Sequence, residues 1–427
     1  MRKIIFRDER HIPPFNEEAR DLSIQNKPLW LHQRDILIRY PGPEIECPGF
    51  DFIPPEATET LVYRNNLYFD QAYLDAFIAA ARQAGGPCRA AIAADNKTFL
   101  QHALPLSTSY TLEGNVYLAD LWYFPQGADL SQPPRPIVTD FLTHEMGYYH
   151  VPAYFGTEKR EVTYQAPHRG LIAIDAWVHV LMADMVYGIW GRGARFENRL
   201  NSDTLYNFKV LWRALLEQKQ ILECSEVVQI GKNCLIDPSV VIHGPTTIGD
   251  NCHIDAGVVI ENCTIGNNVN ISQGCQLMLS TVGDGCFLPF RAALFETTLM
   301  ENVLVAQNTC LQMCVVGRNT FIGAGSTFTD YNLLPSPIRA TNANHELKDA
   351  GAVALGGCVG HNCRLGAGMI VYPARMIESD VILFASKERR VIDRNVAYED
   401  SDHLRTRSAQ LHKRLYPRKG EKLVESW

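Results

Sequence analysis

Four histidines fall between residues 223 and 385, His243, His253, His345 and His361. Histidine is the side chain whose ordinary pKa lets it take a proton near neutral pH. His345 stands in ATNANHELKD, flanked by Asn342, Asn344 and Asp349, and His361 stands in GGCVGHNCRLGAG. A base beside amide side chains suits transfer of an acyl group from a thioester to an amine or hydroxyl. The imidazole takes the acceptor's proton, and an Asn amide or a backbone N–H holds the oxyanion. His345 and His361 are therefore the candidate catalytic residues, and Arg339, Asn342 and Asn344 the candidate substrate contacts. A structural role stays open for both histidines. No metal centre is expected: the histidine spacings do not give three matching ligands, and the close pair Cys310 and Cys314 lacks a second pair at metal-site spacing.

The elements that must carry these residues are set by a short internal period. Apolar residues recur every six positions at Ile230, Ile236, Ile242, Ile248, Ile254 and Ile260. After a step of five the count resumes at Ile265, Ile271 and Leu277, and the same break precedes Val282, Leu299 and Val316. Helices and ordinary strands have side-chain periods of about 3.6 and 2. A three-sided coil accounts for six, with one apolar side chain per face in the lumen and successive coils paired as parallel strands. Four residues after each anchor the residue is small or β-branched, as at Cys234, Val240, Thr246, Cys252 and Val258, which suits a narrow lumen corner. Gly231, Gly249, Gly266, Gly283, Gly317 and Gly323 follow anchors directly, where a tight corner favours positive φ. His243 and His253 fall at corners of this repeat and read as solvated or hydrogen-bonded residues.

This pattern resembles the hexapeptide-repeat, left-handed β-helix superfamily, whose signature is an aliphatic residue, Gly or a substitute, two variable residues and a small one. The left hand comes from the resemblance alone, since most parallel crossovers are right-handed. About seven coils are expected within 223–385. The period stops after Phe328 and returns at Val359; the polar excursion at 329–358, with Pro335 and Pro337, reads as a loop thrown out of the stack. In acyltransferases of the superfamily such a loop commonly helps to close a site at a subunit boundary. The resemblance implies an acyl-CoA-dependent acyltransferase, acetyl-CoA first among donors, acting on a sugar, sugar phosphate or nucleotide sugar as a homotrimer. On this reading His345→Ala abolishes acyl transfer and leaves the fold intact.

Residues 1–222 alternate candidate strands and helices and predict an α/β domain. ETLVYRNNLYF reads as a strand, and DQAYLDAFIAAARQAGG as a helix capped by Asp70 and stopped at Gly85 or Gly86. CRAAIAAD, NVYLADLWYFP and PIVTDFL read as further strands. Two helical patterns, IDAWVHVLMADMVYGIW and DTLYNFKVLWRALLEQKQIL, bridge to the repeats. This order of parts resembles the sugar-1-phosphate nucleotidyltransferases, some of which join uridyl transfer to acetyl transfer. NKPLWLHQRDIL and LVYRNNLYFD look like fragments of that family's nucleotide and metal segments. HIPPFNEEARD lacks the glycines that let backbone approach a triphosphate, and Asn65 and Asn66 stand where the family has a metal-binding Asp. The expectation is a degenerate nucleotidyltransferase-like domain. Mg²⁺ enters only if that domain is active, which is the alternative function; a non-catalytic β-helix scaffold or ligand-binding protein is the other.

Composition narrows the partners. With 40 basic and 47 acidic residues the formal charge is −7, so no cationic field is offered to nucleic acid. No stretch approaches the ~20 apolar residues of a membrane span. MRKIIFRDERHIPPF lacks a signal-peptide core, and twelve cysteines without an export signal predict reduced thiols in the cytoplasm. The tail at 386–427 is basic, with Arg405, Arg414, Arg418, Lys419 and Lys422 among its residues. It reads as a solvated helix capping the open end of the β-helix, with phosphate binding as the sharper reading.

Overall fold

Alternation of apolar runs with turn residues builds the first half of the chain around one mixed sheet. Its strands lie in the order Arg135–Val138, Cys88–Ala93, Val116–Phe124, Thr60–Arg64, Arg2–Phe6 and Glu44–Cys47. Val116–Phe124 runs antiparallel to both its neighbours, and the other adjacent pairs are parallel. The structure, a computed structural model, describes residues 1–150, 161–334, 336–407 and 409–421. Pro335 and Lys422 lie outside the described residues. Helix α1 (Leu29–Leu37) follows the KP pair, and α2 (Gln71–Ala84) buries Tyr73, Leu74, Phe77, Ile78 and Ala81 at helical spacing. Asp70 caps α2 by accepting from Tyr73 N, and Gly85 ends it at φ 69°. The run ETLVYRNNLYF is broken at Asn65 and Asn66 into Thr60–Arg64 and Leu67–Phe69, and the second piece pairs with Leu171–Ala173.

The first bridging pattern is one helical column: α3 (Trp177–Met182), a π-helical stretch Ala183–Trp190, then α4 (Gly191–Ser202). The second is α5 (Thr204–Glu217), capped by Asp203 and ended by Gln218 at φ 55°.

The repeats form three parallel sheets of eight strands each, so the β-helix has eight coils rather than about seven. The last coil closes with Val391–Ile392, beyond the expected boundary at 385. The anchors Ile254, Ile260, Ile271, Leu277, Val305 and Ile322 are buried in the lumen, and Cys252, Cys275, Cys286 and Cys363 fill its corners as free thiols. The reading of the corner glycines needs correction. Gly231, Gly249, Gly266, Gly283, Gly317 and Gly323 do not take positive φ; that conformation falls two residues later, at Asn233, Asn251, Asn268, Gly285, Asn319 and Gly325. The glycines are required by close approach between coils: a Cβ on Gly249 would stand 2.6 Å from the backbone of Gly266.

Two of the three faces differ in what covers them. The first, which begins with Val228–Ile230, lies under the helical column. There Arg192 donates to Thr264 Oγ1 (2.9 Å) and the Cys263 carbonyl (3.1 Å), and Thr298 donates to Asp184 (2.9 Å). The second face, which begins with Leu235–Ile236, keeps a largely exposed outer column of Leu235, His253, Asn270, Phe287, Phe321 and Arg364. His243 and His253 sit in strands of these faces, Val241–His243 and His253–Ile254, rather than at corners.

The tail covers the last coil as expected, but as short 3-10 turns (Tyr398–Asp400, Asp402–Arg405, Ala409–Leu411) rather than a helix. Its polar groups are committed to the coil's edge: Ser401 Oγ accepts from Ile382 N, Asp402 from Phe384 N, and Leu415 N and Tyr416 N donate to Asp380. Those bonds favour an extended wrap over i→i+4 pairing.

Candidate functional site

At the carboxyl ends of the N-terminal strands the polar side chains converge on Asp175, which is fully buried. Its carboxylate accepts from Ser107 Oγ (2.7 Å), Thr108 N (2.9 Å), Ser109 Oγ (2.7 Å), Asn66 Nδ2 (3.1 Å) and the Arg10 guanidinium (2.9 Å). Arg10 also donates to Asp8, whose N–H is held by Asn65 Oδ1 at 2.8 Å. Burial raises the Asp175 carboxyl, but His179, Arg10 and the hydrogen bonds outweigh it and leave its pKa lowered. A guanidinium thus stands between Asp8 and Asp175, and Asn65 and Asn66 are buried and bonded. These residues do not fit Mg²⁺, which takes carboxylate and water oxygens in near-octahedral geometry. A shallow depression of about 500 Å³ remains open beside them, lined by Arg7, Asp8, Glu9, Glu46, Cys47, Pro48 and Arg64, with acidic and basic groups mixed.

The excursion at 329–358 folds into a hairpin, Arg339–Thr341 against Leu347–Asp349. It packs on the N-terminal domain of its own chain: Ala343 N donates to the Asp175 carbonyl at 2.8 Å, and Ile338, Ala340, Ala343 and Leu355 join that domain's core. Asn342 is fully buried, and its side chain builds the hairpin tip. Oδ1 accepts from Asn344 N and Glu346 N (both 3.0 Å), and Nδ2 donates to Glu346 (3.0 Å). This leaves the side chain committed within the hairpin rather than offered to a ligand. Asn344 and Arg339 are exposed, and His345 is exposed at the tip with φ 61°.

His361 is fully buried where three parts of the chain meet. Its Nδ1 accepts from Arg318 N (2.9 Å), its Nε2 stands 3.3 Å from Glu17, and its ring lies between Phe15 and Tyr416. Arg318 ties the joint by pairing with Glu17 (2.6 Å) and Glu301 (3.3 Å). Burial pushes the imidazole below its ordinary pKa although Glu17 pulls the other way. A base enclosed this way meets no substrate in this conformation; its position ties the tail and the N-terminal segment to the β-helix.

The open face carries the remaining constellation. His253, its side chain about half exposed, points outward from the second face with Nε2 3.3 Å from Asp255 Oδ1. Parallel register sets Asn270 beside His253 and Phe287 beside Asn270. Together with Asp255, Ile271 and Ser272 they line a depression of about 220 Å³. A carboxylate that holds one ring nitrogen orients the imidazole and leaves the other free as a base. His243, by contrast, has a carboxylate near each nitrogen, Glu223 at 3.3 Å and Glu261 at 3.5 Å. Sequence reasoning passed over His253, yet a signal exists in the spacing. An outward histidine just before an anchor, an acid two residues on, and polar residues one coil later at Asn270 and Ser272 fall on one patch.

Comparison with known proteins agrees with the repeats. The family model described as bacterial transferase hexapeptide (six repeats) matches residues 228–262 and 245–278. With its three stacked parallel sheets, the C-terminal domain is a parallel β-helix built on hexapeptide repeats, joined to an α/β domain with a mixed sheet. Among solved structures the chain is similar to UDP-N-acetylglucosamine O-acyltransferase (LpxA) from Moraxella catarrhalis RH4. Identity is 15%, coverage is 37% of this chain and 70% of that one, and the TM-score is 0.23. The sequence matches none of the curated proteins compared with it.

Proposed function

We propose that the chain is an acyl-CoA-dependent acyltransferase, with acetyl-CoA as the first donor to test, acting on a hydroxyl or amine of a sugar, sugar phosphate or nucleotide sugar. The observation that carries this reading is the His253–Asp255 pair in an open depression on the uncovered face of a hexapeptide-repeat β-helix. His253 Nδ1 takes the acceptor's proton as its oxygen or nitrogen attacks the thioester carbonyl. Asp255, its Oδ1 3.3 Å from Nε2, steadies the imidazolium by its charge, and the Asn270 amide, one coil along, is a candidate donor to the oxyanion. Collapse of the tetrahedral intermediate breaks the C–S bond, and the imidazolium returns the proton to the CoA thiolate.

The outer column of the same face, with Leu235, Phe287 and Phe321 each 39% exposed or more, supports a homotrimer in which a neighbouring copy closes the depression. His345 remains the competing base because the hairpin tip leaves its ring open to solvent. Release of CoA from acetyl-CoA is measured across a panel of sugars and sugar phosphates. His253→Ala is expected to lower turnover about 10²- to 10⁴-fold with the melting temperature unchanged, and His345→Ala to leave it within about twofold. The reverse pattern would transfer the role to His345. Nucleotidyl transfer is disfavoured by Arg10, which occupies the space between Asp8 and Asp175.

A further inference from the structure

Helix α5 packs on the molecule by one edge only. Tyr206, Val210 and Ala214 are buried against Cys224 and Val227, while Leu205, Phe208, Trp212 and Leu215 are 83%, 64%, 52% and 69% exposed. The four are spaced symmetrically about Val210, at five and two residues to either side. At 3.6 residues per turn, all four then lie within about 40° of the pole opposite Val210. A stripe with that symmetry is self-complementary. One antiparallel two-fold register sets Leu205 against Leu215 of a second copy and Phe208 against Trp212, and then repeats both contacts.

Other features also favour a second copy as the occupant. Phe208 and Trp212 already stack within the chain, centroids 6.1 Å apart and 15° from parallel, so little freedom is lost on docking. With Leu211 and Leu216, 49% and 60% exposed, the face offers roughly 600 Å² of apolar surface, counting about 150 Å² for a fully exposed large side chain. That approaches the ~800 Å² per partner of a standard interface and is large for a surface left to water. A lipid surface would be recognised by free cationic side chains beside the stripe. Here Lys209 is paired with Glu226 at 2.7 Å and Arg213 stands 3.8 Å from Glu217.

We propose that α5 is a homotypic interface, its exposed face pairing antiparallel with α5 of a second copy of this chain about a two-fold axis at the level of Val210 along the helix. It is independent of the acyl-transfer reading, because α5 contributes nothing to the His253 depression.

The test is the mass of the full chain in solution by light scattering and sedimentation. Wild type is expected to hold an even number of chains, six where two of the proposed trimers pair through α5. Leu205→Lys and Leu215→Glu alone should each halve that mass without changing the melting temperature. Mixing the two variant chains should restore it, because the register sets the two substituted positions opposite each other. An odd number of chains in the wild type, or a mass unchanged in both variants, would overturn the pairing. Loss of mass without recovery on mixing would overturn the register. Wild-type binding to anionic vesicles that both variants lose would overturn the choice of occupant in favour of a lipid surface.

Discussion

His253 and His361 show how position decides what one side chain type can do. Both sit in coils of the same β-helix, yet His361 is enclosed by Phe15, Tyr416 and Arg318 while His253 faces outward beside Asp255. If Asp255 orients the ring, Asp255→Asn should lower turnover about 10-fold or more and leave the melting temperature unchanged; a steady-state comparison of purified variants reads this. Asp184 gives a second test at this scale. Burial raises its pKa to about 7 against bonds from Gln25 N and Thr298. The folded state then keeps a proton that the unfolded chain gives up near pH 4, so this group's contribution falls as pH rises from about 4 to 7 and levels off above. Asp184→Asn should flatten that decline, gaining up to about 4 kcal/mol on the wild type between pH 4 and 8. Chemical denaturation at several pH values measures it, and parallel curves would contradict the assignment. Arg10→Ala should cost about 3 kcal/mol at pH 7 by leaving Asp8 and Asp175 without their counter-charge. Protonating Asp175 should recover part of that loss in acid.

At the scale of elements, the coils were legible and their details only partly so. The six-residue period names the lumen residues, and Asp70 and Gly85 bound α2 where their side-chain chemistry says they should. The corner glycines were found but given the wrong cause. The clash at Gly249 is with the next coil, 17 residues away, and no local rule about turns reports such a distance. Gly249→Ala should therefore destabilise by about 2 kcal/mol through overpacking, a loss that calorimetry of the intact chain detects. The excursion was recognised as an interruption, but its hydrogen bond to Asp175 joins residues far apart in the sequence. Asn342, flanked by polar residues, read as a ligand contact, while its real partners are backbone N–H groups two and four residues on. Replacing 339–349 with a short flexible link should lower the thermal transition of the N-terminal domain and leave the β-helix transition in place. Loss of both together would mean that the hairpin stabilises the whole chain.

Across the whole molecule, the α/β domain covers one face of the β-helix, the tail closes one end, and the second face stays open. That division was hidden in the sequence because outward positions of the coils are variable, and only the covering helices show which of them remain in solvent. The basic tail read as a cap, with phosphate binding as the alternative; Arg414 and Arg418 are paired with Glu378, and Lys419 with Glu9. The pairs with Glu378 tie the tail to the last coil, and Lys419 ties it to the N-terminal segment. The second face leaves its outward side chains accessible, and its His–Asp pair is the site proposed for acyl transfer. The direct test is CoA release from acetyl-CoA by the intact chain, followed by mass spectrometry with a sugar-phosphate panel, for wild type and His253→Ala. Release that needs an acceptor and falls at least 100-fold in the variant is the predicted result. Equal release by both proteins would contradict His253 as the base.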